Sequence, residues 1–340
     1  MKTTDFAYHL SKYFKSYMPG TLGLREKSID SYQTAFFTFL RFMKTEKNIT
    51  PNNIALDDLN VELIMEYLLY LEKNGNSVST RNHRLTTLRS FFKYIQLVEP
   101  KQILLMQQLL AIKHKRQSKP VISYLTTDAV KRLTHEPSVG SRHGYRDMLL
   151  LSVLYETGAR VSEIVAVTVG DIRTESPATV VLHGKGGKSR IVPVSKEVAA
   201  LILHYITKEK MSGFEYREKL LFTNRSGDKL TGAGVAYILK KYADAIREKE
   251  PSLMPKILSP HCLRHSKAMH LLQAGIDLIY IRDILGHEHL KTMEIYAKTD
   301  TSQKRKAIEN AYSSIPDDSG FQGDWNEDSS LSQWLKGVCQ

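Results

Sequence analysis

Apolar side chains recur at helical spacing through the first third of the chain. Ala35, Phe36, Phe39, Leu40 and Met43 mark one face, Leu63, Ile64, Tyr67, Leu68 and Leu71 a second, and Leu85, Leu88, Phe92 and Ile95 a third. A fourth apolar stretch covers residues 103–112. This pattern predicts a small bundle of amphipathic helices. Arg81, Arg84, Arg89 and Lys93 fall largely off the apolar stripe of the third helix and give the bundle one basic surface.

Over residues 113–120 the sequence turns polar and basic (KHKRQSKP), and Pro120 disfavours helix at the residue before it, which predicts a linker there. Helical patterns resume near 127–136 and 145–156 and break at Thr157-Gly158-Ala159. The period then changes. Val180, Val181 and Leu182 form a β-branched run, the turn-forming stretch Gly184-Lys185-Gly186-Gly187-Lys188 follows, and residues 191–194 restore the strand signal, so a β-hairpin with a lysine at its tip is expected. Helical periodicity returns over 196–208, 234–248 and from 261 almost to 312, with breaks at Gly275 and Gly286. The fold class expected is therefore mainly α: a helical domain over 1–112, a linker over 113–120, and a mostly helical domain with a small antiparallel sheet over 121–315. Residues 316–340 read as an acidic, flexible tail. Within it Leu331, Trp334, Leu335 and Val338 repeat at helical spacing, a short helix that packs either on its own domain or on a neighbouring protomer.

Charge adds a partner to this outline. The 340 residues carry a net charge of +12 and a pI near 9.4. Residues 1–119 hold 18 basic and 10 acidic side chains, and 120–315 hold 29 and 21, so both expected domains are basic. Such a chain favours a polyanion, because Lys and Arg bind phosphates largely by releasing condensed counterions. The arginine-bearing helix, taken alone, is a solvated face; beside a basic linker it becomes a candidate contact with double-stranded DNA, and two basic domains around such a linker suit a clamp. The two cysteines, Cys262 and Cys339, form neither a disulfide framework nor a paired zinc site and fit a reducing cytoplasmic compartment. The first twenty residues lack a signal-peptide core, and the longest nearly apolar run, 148–154, is too short to span a bilayer.

Three segments carry a more specific signal: Thr157-Gly158-Ala159-Arg160-Val161-Ser162-Glu163-Ile164, then Ser259-Pro260-His261-Cys262-Leu263-Arg264-His265-Ser266, then Leu285-Gly286-His287-Glu288-His289 with Tyr296 nine positions after His287. In this order and spacing they resemble the signature boxes of the tyrosine recombinase (phage integrase) family. The hairpin from Gly184 to Pro193 also matches, and the helical first third is similar to the family's core-binding domain. The stretches from Gly23-Leu24 to Tyr32, Ser79-Thr80-Arg81-Asn82 and His270 to Gly275 look more like recombinases carried by transposons or integrative elements than chromosome-dimer resolvases.

The resemblance implies the tyrosine recombinase catalytic fold and a site built from Arg160, Lys185, His261, Arg264, His287 and Tyr296. Its chemistry explains the residue types. Attack on a phosphodiester develops negative charge on the non-bridging oxygens, which the guanidinium forks of Arg160 and Arg264 can meet. Tyr296 would attack, His261 would take its proton, Lys185 would protonate the departing 5′ oxygen, and His287 would donate a hydrogen bond to the phosphate. No cofactor or metal is called for, and a homotetramer on DNA is expected. Lys188 is a second lysine on the same hairpin and an expected phosphate contact. Lys113, Lys115, Arg116 and Arg190 complete the DNA-contact candidates. Glu163, one turn after Arg160, either holds that segment or biases a histidine, or is a plain surface glutamate. Cys262 is expected as core filler and Tyr280 and Tyr312 as packing residues; His287-Glu288-His289 is not expected to bind metal, since residues two apart on a helix face differently. With only about 25 residues before the first expected helix, no separate arm-binding module is predicted, and 5–20 read as a short leader. Two rival functions remain: relaxation of DNA in the manner of a type IB topoisomerase, and a catalytically silent DNA-binding regulator.

Overall fold

A computed structural model describes residues 4–117, 123–184 and 187–286 of the chain. Two compact units follow one another, Met1–Pro120 and Val121–Gln340.

In the first unit, α1 (Asp5–Lys12) begins at Thr4, whose hydroxyl accepts from the Ala7 amide, and runs on into a π-helical segment, Tyr13–Thr21. Four helices follow: α2 (Glu26–Glu46), α3 (Val61–Lys73), α4 (Val78–Val98) and α5 (Ile103–Ala111). Side chains of Asn60 and Ser77 cap α3 and α4 by accepting amides of the first turn. The core is rich in rings. Tyr13 and Phe91 meet edge to face at 5.3 Å, as do Phe6 and Phe91 at 5.6 Å, and the Tyr13 hydroxyl donates to Ser90 at 2.8 Å. Phe6, Tyr13 and Met18 are all fully buried, so the stretch expected to be a leader is part of the core. Its mixture of Lys, Tyr and His between the apolar positions hid the helix.

In the second unit, α6 (Thr127–His135) and α7 (Arg142–Thr157) lead to a one-turn helix, α8 (Val161–Ile164). Strands β1 (Ile172–Arg173), β2 (Thr179–His183) and β3 (Ser189–Pro193) pair antiparallel in that order. Val180 lies opposite Val192, and Leu182 opposite Arg190. Helices α9 (Lys196–Lys208), α10 (Gly232–Lys249), α11 (Pro260–Gln273) and α12 (Leu278–Leu285) complete the described part. The expected break at Gly275 separates α11 from α12, and β1 is an element that its two-residue length concealed. Helix α7 is the spine: Leu149, Leu150, Leu151, Val153 and Leu154 are buried on successive faces, because α6, α9 and α11 pack around it. Near its start a buried network joins Arg146 and Asp147 to Tyr242 of α10, with Asp147 accepting from Arg146 at 2.6 Å and from the Tyr242 hydroxyl at 2.9 Å. Among the described residues no helix is long and apolar enough to cross a membrane.

Candidate active site

The site is built where two helices end. Gly158 terminates α7 and Gly286 terminates α12, both in the left-handed conformation (φ 57° and 66°) that suits glycine at this position. The two turns are close-packed as well. A Cβ on Gly158 would stand 2.4 Å from Cδ2 of Leu285, and one on Gly286 would stand 3.0 Å from the Arg190 side chain. Helix C-termini leave carbonyls without intrahelical donors and carry the negative end of the helix dipole, so cations are favoured there.

Three arginines from three segments supply them. Arg190 donates through Nε to the Ile284 carbonyl at 2.9 Å, Arg264 through Nη2 to Leu285 at 2.6 Å, and Arg160 through Nη2 to Gly286 at 3.1 Å. Arg264 also donates through Nη1 to the Gly158 carbonyl at 2.7 Å, tying the two turns together. Arg264 is 1% exposed; the Arg160 side chain is 40% exposed and forms the open side of the group.

Glu163 balances part of this charge. It is 2% exposed, accepts from Arg190 Nη1 and Nη2 at 3.0 and 2.7 Å, and accepts from Arg160 through both the backbone amide and Nη1 at 2.8 Å. Burial alone would raise its carboxyl, but the hydrogen bonds from Arg190 and Arg160 outweigh it and hold the group down at about 2. The surface-glutamate reading is thereby replaced by that of a buried anion holding two cations.

His261 stands on the first turn of α11 with its ring partly in solvent, 4.6 Å from the ring of His265 in an edge-to-face arrangement. Desolvation, then the charges of Arg264 and Arg160, lower its pKa below the ordinary histidine value. His265 is pushed further, down to about 4, by burial and by His261 and Arg264. Both imidazoles are therefore neutral at neutral pH. Of the six expected catalytic residues, Arg160, His261 and Arg264 are thus brought together, while Lys185, His287 and Tyr296 lie outside the described residues, as do Tyr312 and the tail.

The DNA-contact candidates divide. Lys93, Lys113, Lys115, Arg116 and Lys188 are exposed. Arg81 is not: it is buried and paired with Glu72 at 2.8 Å, a partner from α3 that a stripe drawn on α4 alone does not reveal. Lys115 pairs with the same carboxylate at 2.7 Å. Arg84 and Arg89 are half-buried, and Arg89 reaches the Ile112 carbonyl at 3.5 Å. Arg190 also departs from expectation. Its side chain is 13% exposed and bound to Glu163 and Ile284, so its donors face the protein. Cys262 is buried as expected, whereas Tyr280, expected to pack, is 66% exposed. Among the described residues there is no cluster of three potential metal ligands.

The sequence matches the phage integrase family over residues 123–303, a span that holds all six expected catalytic positions, and the family's N-terminal SAM-like domain over 12–97. The chain belongs to the phage integrase family. It is 34% identical to the tyrosine recombinase XerA of Pyrococcus horikoshii, over 73% of this chain and 79% of that protein. In fold it is similar to the XerH site-specific recombinase solved with a palindromic difH substrate after cleavage, with a TM-score of 0.67, 24% identity, and 88% and 83% of the two chains covered. It is also similar to the Tn1549 transposon integrase solved with transposon right end DNA, with a TM-score of 0.65, 16% identity, and 88% and 98% covered.

Proposed function

We propose that this protein is a site-specific DNA recombinase that cuts and rejoins strands through a 3′-phosphotyrosine on Tyr296, in a tetramer assembled on DNA, and that it moves or resolves a mobile element. The observation that carries this reading is the meeting of Arg160, Arg264 and His261 at the two glycine turns of a basic unit.

The five N–H donors of a guanidinium allow Arg160, on the open side of the group, to hold a backbone carbonyl and still meet the oxygens of a phosphate, while Arg264 adds its positive charge from its buried position. As the phenol of Tyr296 attacks phosphorus, its proton passes to His261, whose lone pair the neighbouring arginines keep available. Charge accumulating on the non-bridging oxygens is met by Arg160 and Arg264, with a hydrogen bond from His287. Lys185 delivers a proton to the leaving 5′ oxygen. The tyrosyl ester conserves the energy of the broken bond, so a 5′ hydroxyl from a second duplex reseals it without a nucleotide cofactor. The exposed lysines supply affinity through phosphates, and binding is expected to weaken steeply with salt.

Nicked duplexes tiling the DNA around the gene test this reading. Cleavage opposite a nick releases a short fragment that cannot return, and the protein is trapped as a covalent adduct. The wild type is expected to form the adduct and Tyr296→Phe to bind without forming it. Binding without an adduct in either protein contradicts the recombinase reading and leaves a DNA-binding regulator; relaxation of a supercoiled plasmid lacking the cleaved site favours a topoisomerase.

A further inference from the structure

We infer that Arg190 is a positioning residue for strand cleavage, one that locks the β2–β3 hairpin onto Glu163 and the end of α12. This rests on the recombinase reading and adds to it a seventh functional side chain.

The strand pattern aims this side chain inward. Val192, two residues on, is fully buried, and Leu182, opposite Arg190, is buried too, so Arg190 occupies an inner-face position that the alternation of a strand would give to an apolar residue. Its charge is met there with full geometry. Two nitrogens grip both oxygens of Glu163 at 3.0 and 2.7 Å, and the third donates to the Ile284 carbonyl at 2.9 Å. Gly286 packs closely against Arg190, whose Cδ lies 3.0 Å from where a Cβ would sit, so a side chain there would press on the guanidinium.

Each segment Arg190 touches bears one of the proposed catalytic groups. The hairpin turn contains Lys185, Glu163 holds Arg160, and Ile284 and Gly286 immediately precede His287 in the chain. The described segments next to three groups proposed to act on one phosphate thus meet at one guanidinium. Only a planar fork can bind a carboxylate through two nitrogens and a carbonyl through the third; the point charge of lysine keeps the sign and loses the geometry. Displacement of a reacting group by about 1 Å can cost on the order of 100-fold in rate.

The test compares wild type, Arg190→Lys and Arg190→Gln. For each, the single-turnover rate of adduct formation is read at saturating nicked duplex, along with DNA affinity across a salt series and the melting temperature. Arg190→Lys is expected to fold, to bind DNA within about threefold of wild type with the same salt slope, and to cleave about 10- to 100-fold more slowly, with Arg190→Gln slower again. If Arg190→Gln fails to fold, Arg190→Lys decides alone. A weakened affinity with the salt slope reduced by about one, and an unchanged rate at saturation, would show a phosphate contact and overturn the inference. A lowered melting temperature with an unchanged rate would show a purely structural role and overturn it as well. Absence of any adduct from wild type overturns the recombinase reading, and the role of Arg190 in cleavage with it.

Discussion

Replacing Glu163 by glutamine removes one negative charge from a buried site while keeping the shape of the side chain. Arg160 and Arg190 then face an amide that offers a single acceptor oxygen where two anionic ones stood. Moving a carboxyl from 4.5 to about 2 corresponds to roughly 3 kcal/mol at neutral pH. Breaking a buried pair by removing one partner costs about 3–5 kcal/mol, and partial exposure of Arg160 favours the lower end of that range. The expected loss is therefore about 3 kcal/mol, confined to the second unit. Hydrogen exchange of amides in α7 and α11 along a urea series would read it without interference from the first unit. The pH dependence has a definite sign. Because folding depresses the Glu163 pKa, its stabilisation is present above pH 4.5 and disappears as the pH falls towards 2, so wild type and Glu163→Gln should converge in acid. A difference below about 1 kcal/mol at neutral pH, or one that widens in acid, would refute the assignment of Glu163 as the anion that holds the arginines.

Three further outcomes follow from the same geometry. Gly158→Ala must place a Cβ against Leu285 at positive φ, and should destabilise the second unit by about 2–4 kcal/mol in thermal denaturation; tolerance of alanine would contradict the close packing of the two turns. The pH profile of adduct formation should lose activity only below the ordinary histidine value of 6.5, as His261 becomes protonated, because desolvation and two arginines depress it; an acid limb centred above 6.5 would exclude His261 as the base. Deleting residues 1–22 removes Phe6, Tyr13 and Met18 from the first core, roughly 5–9 kcal/mol of apolar burial, which approaches the whole stability of a domain. Circular dichroism should show an unfolded first unit, and a helical, cooperatively melting one would show that these residues are dispensable.

What the sequence disclosed depended on whether a signal was local. The hairpin was legible because Val180 to Leu182 and Ile191 to Val194 flank a glycine-rich turn, and the glycine stops at 158 and 286 were legible because both end an apolar periodic run. Signals that need a partner from elsewhere in the chain were not. Arg81 reads as a surface cation until Glu72 is placed beside it, and Glu163 reads as one of many glutamates until β3 delivers Arg190 to it. Arg190 did carry a usable clue: counting by twos from Val192 puts it on the inner face of its strand, where a cation needs an anion. Residues 5–20 misled for another reason, since Lys, Tyr and His stand between Phe6, Tyr13 and Met18 and hide how deeply those three are buried.

The central claim is that Tyr296 becomes esterified to a 3′ phosphate at a centre neutralised by Arg160 and Arg264. Trapping wild-type protein on a nicked duplex, digesting protein and DNA, and sequencing the nucleotide-bearing peptide by mass spectrometry tests it most directly. The account predicts a nucleotide on the peptide that contains Tyr296, carried through its 3′ phosphate. A nucleotide on any other residue, or attachment through a 5′ phosphate, would contradict it.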